Sequence, residues 1–143
     1  MSLNLFEGAL CNNHAGTQAF ENLAIEIAQR ARHSVEIGDC VRFWSDRYLT
    51  DTGFNDLFQS LNFRPRDFRE HVEAVLRREK NDLRSQLLAV MIIIYRLRNN
   101  LLHGLKTIDT LNDQVSNLNM ACRALAAIMK ASHAPIMAVR DAA

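Results

Sequence analysis

The chain is poor in residues that interrupt helices: 143 residues contain only five glycines and two prolines. Glycine costs backbone entropy, and proline removes a backbone donor, so their scarcity favours long helices. Cysteine is also sparse. Cys11, Cys40 and Cys122 are too few and too scattered for a disulfide framework. They read as reduced thiols of a cytosolic protein. No apolar run approaches the roughly 20 residues of a membrane-spanning helix, the longest lying within Ser85–Tyr95. No basic start followed by a continuous apolar region opens the chain, so no secretory leader is expected. Neither charge dominates, with 17 Lys and Arg against 16 Asp and Glu. A Gly-rich phosphate loop, a nucleophile elbow and a paired zinc motif are all lacking, which excludes the chemistries built on them. Internal repeats and low-complexity tracts are lacking too.

What is present suits one domain, residues 1–143, with residues 1–16 and 134–143 as loose termini. Apolar residues make up 48% and charged residues 23%, ordinary values for a globular chain. The spacing predicts helices nearly throughout. From Thr17 to about Val35, apolar residues recur at Phe20, Leu23, Ile27, Ala31 and Val35, with Thr17 as cap and Gly38 just beyond the end. From Val41 to Phe63 the pattern blurs around a turn at Asp51-Thr52-Gly53, with a short helix on either side. Pro65 suits the first turn of a helix to about Lys80, with Phe68, Val72 and Val75 inward.

Asn81 or Asp82 caps the next helix, which runs to His103. Leu83, Leu87, Met91, Ile94, Leu97 and Leu101 form one face, and Ile92 and Ile93 extend the apolar surface around it. Such a helix is central in the domain or shared with a partner subunit. After Gly104, Thr107 or Asp109 caps a last long helix. There Leu111, Val115, Leu118, Cys122, Leu125 and Met129 alternate steps of four and three, a bundle-packing stripe. Pro135 ends it. Long helices with short connections imply an all-α, up-and-down bundle of four to five helices.

Charge is unevenly placed. Between Arg64 and Lys106 stand ten Lys and Arg against five Asp and Glu, and the rest of the chain is net acidic. A basic block suits an anionic ligand such as RNA. The alternative is a solvated helix face with Glu–Arg pairs at helical spacing.

Inside that block lies Tyr95-Arg96-Leu97-Arg98-Asn99-Asn100-Leu101-Leu102-His103-Gly104. Histidine moves protons near neutral pH, arginine holds phosphate through a planar fork of donors, and asparagine orients either. On a helix of about 100° per residue, Arg96, Asn99, Asn100 and His103 share a face, and Arg98 lies about 140° round from His103. These residues are a minimal kit for cleaving RNA without a metal. A cofactor is not expected. Cys11-x-x-His14 has ligand-like spacing but no second pair, so a metal site is not expected either.

The string Arg98-Asn99-x-x-x-His103 resembles the R-x4-6-H motif of the HEPN superfamily in its RNxxxH form, and Arg-Asn-Asn-Leu-Leu-His-Gly followed by Lys106 is similar to stand-alone bacterial HEPN-like proteins. The resemblance implies a helical bundle, a homodimer whose two motifs meet in a composite site, and endoribonuclease activity in a toxin or phage-defence role. An antitoxin or regulatory protein is a further implied partner; a membrane is not. Arg98, Asn99 and His103 would be catalytic, and Arg96, Asn100 and Lys106 would bind phosphate or RNA. Arg98 is the family arginine because Asn99 follows it, and Arg96 is the alternative on geometry. Leu105 stands where toxins of this family often carry a modifiable tyrosine, which puts that mode of control in doubt.

Other readings stand beside this one. The arginines and His103 could serve only the negative end of the helix dipole. The chain could be a non-catalytic HEPN-like module that binds RNA, a nucleotide or a protein, or a helical dimerisation protein. Six aromatics, Phe43, Trp44, Tyr48, Phe54, Phe58 and Phe63, with Arg42 and Arg47 interleaved, could stack on bases, but are expected to pack a short helical subdomain on the bundle. His33, His71 and His133 are expected at the surface or at helix ends.

Overall fold

The computed structural model describes residues 16–104 and 108–132, and the side chains of residues 16–100 and 114–132. The chain is an all-α bundle. Among the described residues there are six helices: α1 (Gly16–Ala28), α2 (Val35–Tyr48), α3 (Asp56–Gln59), α4 (Arg69–Leu76), α5 (Leu83–Gly104) and α6 (Ile108–Ser132). A small antiparallel hairpin joins α2 to α3, β1 (Leu49–Thr50) pairing with β2 (Gly53–Phe54).

Helix α5 is central because it is apolar on every side. Leu87, Ala89, Val90, Met91, Ile92 and Ile93 are each at most 1% exposed. Helices α1, α2 and α4 cover it within one chain, so its apolar girdle needs no partner subunit. Asp82 starts the helix as expected, its carboxylate accepting from Ser85 N at 3.0 Å. Helix α1 buries Phe20, Leu23, Ala24 and Ile27, and the edge of the Phe20 ring meets Tyr95.

Several boundaries and faces differ from expectation. The first helix ends at Ala28, not Val35. Ser34 opens a new helix instead, its hydroxyl accepting from Ile37 N at 3.3 Å. Gly38 therefore lies inside α2, and Val35 is 73% exposed. The blurred stretch from Val41 contains the rest of α2, a full helix of 14 residues. Pro65 does not start a helix. The Asp67 carboxylate accepts from Arg64 N at 2.7 Å, closing a turn around the proline. Phe68 then takes a left-handed conformation (φ 54°, ψ 46°) before α4 begins at Arg69. Phe68 is exposed, whereas Val72 and Val75 are buried as expected.

The last helix is turned partly away from its expected face, although Leu118 is half-buried and Leu125 packs against the core. Its buried line is Asn117, Ala121, Ala124, Ile128 and Ser132. Val115 and Met129 are 45% and 40% exposed, and Cys122 is exposed. The cause is polar: Trp44 Nε1 donates to Asn117 Oδ1 at 3.1 Å in the core. A buried indole N–H left unpaired is costly, so Asn117 must face α2. Alanines at 121 and 124 let the two helices approach closely. At the far end, Arg30 Nη1 donates to the Ser132 carbonyl at 2.7 Å. Leu111 lies outside the described side chains.

None of the described helices is long and apolar enough to cross a membrane.

Candidate functional site at the end of helix α5

The motif occupies the last two turns of α5. Its two arginines have different surroundings. Arg96 is 3% exposed. Its Nε donates to the Leu61 carbonyl at 2.9 Å, and Nη1 stands 3.6 Å from Asp67 Oδ2. Burial presses its pKa down from the usual guanidinium value, while Asp67 pushes it up. The expectation that Arg96 binds phosphate is therefore corrected. Its guanidinium holds the 60–67 segment against α5 and lies out of reach of a surface ligand. Arg98, two residues on, is half-buried.

Asn99 is buried, at 8% exposed. Asn100 is partly exposed, and its Nδ2 donates to the Ser60 carbonyl at 2.9 Å. Asn100 and Arg96 thus grip successive carbonyls of the same segment. The helix extends through His103 to Gly104. The His103 side chain and Lys106 lie outside the described residues.

The segment from Ser60 to Glu70 also belongs to this end of the bundle. Its signal in the sequence was only the basic block, because the pairing of Asp67 with Arg96 joins positions far apart in the chain. The segment is tied at both ends. Thr17 Oγ1 donates to the Arg66 carbonyl at 3.3 Å, and the Ser60, Leu61 and Asp67 contacts fasten it to α5. It carries Arg64, Pro65, Arg66 and Phe68 on its exposed side.

The aromatic group pairs mainly with itself. Trp44, Tyr48 and Phe58 are fully buried, and Phe43, Phe54 and Phe63 pack partly buried against the core. Phe54 stacks on Phe58 at 4.3 Å, and Phe63 tilts against Phe58 at 5.1 Å. The packing expectation holds for these rings.

His71 is partly buried, with Nε2 3.0 Å from the Ser85 carbonyl. His33 is exposed between α1 and α2. Among the described residues, no group of three His, Cys, Asp or Glu side chains is placed to hold a metal ion. Cys11, His14 and His133 lie outside the described residues. Comparison with protein-family models, with curated proteins and with solved structures gives no match.

Proposed function

We propose that the protein is a HEPN-like, metal-independent endoribonuclease. The observation that carries the reading is the Arg98-Asn99-x-x-x-His103 motif ending the central helix of an all-α bundle, with one of its two arginines withdrawn into the core. The RNxxxH register then assigns phosphate to Arg98, which is half-buried.

In this reading His103 removes the proton from an RNA 2′-hydroxyl, or donates one to the leaving 5′-oxygen. The 2′-oxygen attacks the adjacent phosphorus, and the bond to the 5′-oxygen breaks. Products are a 2′,3′-cyclic phosphate and a 5′-hydroxyl end. Arg98 stabilises charge on the non-bridging oxygens. Asn99 orients the site and Lys106 supplies further positive charge. One histidine is poorly placed to serve both sides of the phosphorus, so the site is a composite of two motifs in a cytoplasmic homodimer. DNA lacks the 2′-hydroxyl and is inert. A toxin or phage-defence role, held in check by an antitoxin or regulatory protein, is part of the proposal.

A second reading is favoured by the asparagines. Asn99 is buried and Asn100 binds the Ser60 carbonyl, which is what a non-catalytic HEPN-like binding module would need for structure alone. The test is cleavage of RNA in EDTA by the wild type and by His103→Ala, with folding checked by circular dichroism. Cleavage by the wild type only, leaving cyclic-phosphate ends, supports the nuclease. Absence of cleavage with RNA still bound supports the module.

A further inference from the structure

A cleft of about 410 Å³ opens on the segment that the motif helix grips. It is lined by Phe63, Arg64, Pro65, Phe68, Arg69 and Glu70. Its volume falls in the range of small-ligand sites, about 300–1,000 Å³.

Its lining is chemically particular. Phe68 is 43% exposed, although most other rings of the chain are buried or packed on the core. It is also held at φ 54°, a conformation that bulky residues rarely adopt. A strained, exposed aromatic gains nothing for the core and is better explained by a contact outside it. Arg64 and Arg66 are exposed beside it, with no ion pair among the described residues. Arg69 forms part of the wall instead: Nε donates to Glu73 at 2.9 Å, and the guanidinium lies over the Phe58 and Phe63 rings. Glu70 is the acidic member of the lining. A carboxylate repels phosphate and accepts hydrogen bonds from base N–H groups, the uracil imino N–H included, so it suits the base of a ligand and not its phosphate.

An exposed ring for a base and a free guanidinium for a phosphate together describe one nucleotide of a single strand. The place of the cleft agrees. Ser60 and Leu61 are bound by Asn100 and Arg96, which lie one and two turns before His103. We infer that the cleft is a subsite for one unpaired nucleotide of single-stranded RNA, its base stacked on Phe68 and its phosphate held by Arg64, an assignment that rests on the RNA-cleaving reading above. Bases already stacked in a duplex are not available to stack on Phe68, so unpaired RNA is the expected ligand.

The experiment is fluorescence anisotropy with a labelled 2′-O-methyl-uridine dodecamer and a matched hairpin duplex, on the full chain. The probe cannot be cleaved, so binding is read independently of catalysis. Wild type should prefer the single strand. Phe68→Gly should bind it about tenfold more weakly, with the melting temperature unchanged or raised, because glycine accepts the left-handed conformation without strain. Phe68→Trp should restore binding. Arg64→Gln should reduce the slope of log affinity against log salt by about 0.7. Unchanged affinity in Phe68→Gly, or equal affinity for duplex and single strand, overturns the subsite. A lowered melting temperature in Phe68→Gly overturns it as well, since the ring would then be a packing element. Binding that depends on Phe68, with no cleavage of ordinary RNA, supports the subsite and removes the nuclease reading alone.

Discussion

Arg96 and Asp67 face each other across 3.6 Å with both side chains less than a tenth exposed. The pair joins the motif helix to the turn around Pro65, and Asp67 also accepts from Arg64 N. One carboxylate therefore closes a local turn and neutralises a distant buried cation.

Removing that carboxylate should be costly. Asp67→Ala leaves the Arg96 charge buried without its counterion and opens the turn. Such a change costs about 3 kcal/mol, which for a chain of this size lowers the melting temperature by roughly 10 °C. The double variant Asp67→Leu/Arg96→Met should recover part of the loss, because neither charge is then stranded, while Arg64 N and the Leu61 carbonyl still lack their partners. Thermal unfolding followed by circular dichroism reads both.

The register of α6 rests on Asn117. Asn117→Ala leaves the Trp44 indole N–H unpaired in the core, at a cost of about 2 kcal/mol. Urea unfolding of the wild type and the variant should show a lower midpoint with the same slope.

Polar substitutions on the opposite face of α6 should be tolerated. Val115→Gln and Met129→Gln should change stability by less than about 0.5 kcal/mol, as for surface sites. Had the 111–129 stripe faced the core, each would be severely destabilising. The same two variants, weighed by light scattering, report whether the proposed homodimer uses this face: a fall from dimer to monomer mass would show that it does.

Alkaline pH should weaken the fold. Burial raises the Cys40 thiol to about 11 and the Tyr48 phenol to about 12. Both folded values exceed the unfolded ones, near 8.5 and 10. The folded chain therefore keeps protons that the unfolded chain releases. The stabilisation is complete below the unfolded values and is lost as pH rises from about 9 through the folded ones. Unfolding midpoints measured from pH 8 to 11 should fall steadily. In a Cys11→Ser background, Cys122 should react with a thiol reagent at pH 8, and Cys40 only after denaturation.

Long periodic segments were legible in the sequence because burial enforces their period. Leu83, Leu87, Met91, Ile94 and Leu97 lie in the core as expected, and Asp82 caps their helix. The boundary between α1 and α2 is hidden in the sequence because Gly38 resembles a terminator, although Ser34 carries a cap signal of its own. The face of α6 is hidden for another reason. The 3-4 stripe is real, but a single indole–amide hydrogen bond and two small alanines outweigh several apolar side chains. Such a bond joins residues far apart in sequence and leaves no local trace. The same holds at the site. The motif was visible as a string, yet only three-dimensional pairing could show that Arg96 and Asp67 belong to the architecture.

Arg96 and Arg98 stand two residues apart, about 200° around the helix, and so answer to separate selective pressures. Loss of Arg96 would have to be matched by loss of Asp67, and the two should vary as a pair in any lineage that keeps this bundle. Arg98 takes no part in that pair, and its retention or drift would follow other demands. On the proposed reading, a set of related chains would divide at position 98 into those that still act on their ligand and those that only keep the shape.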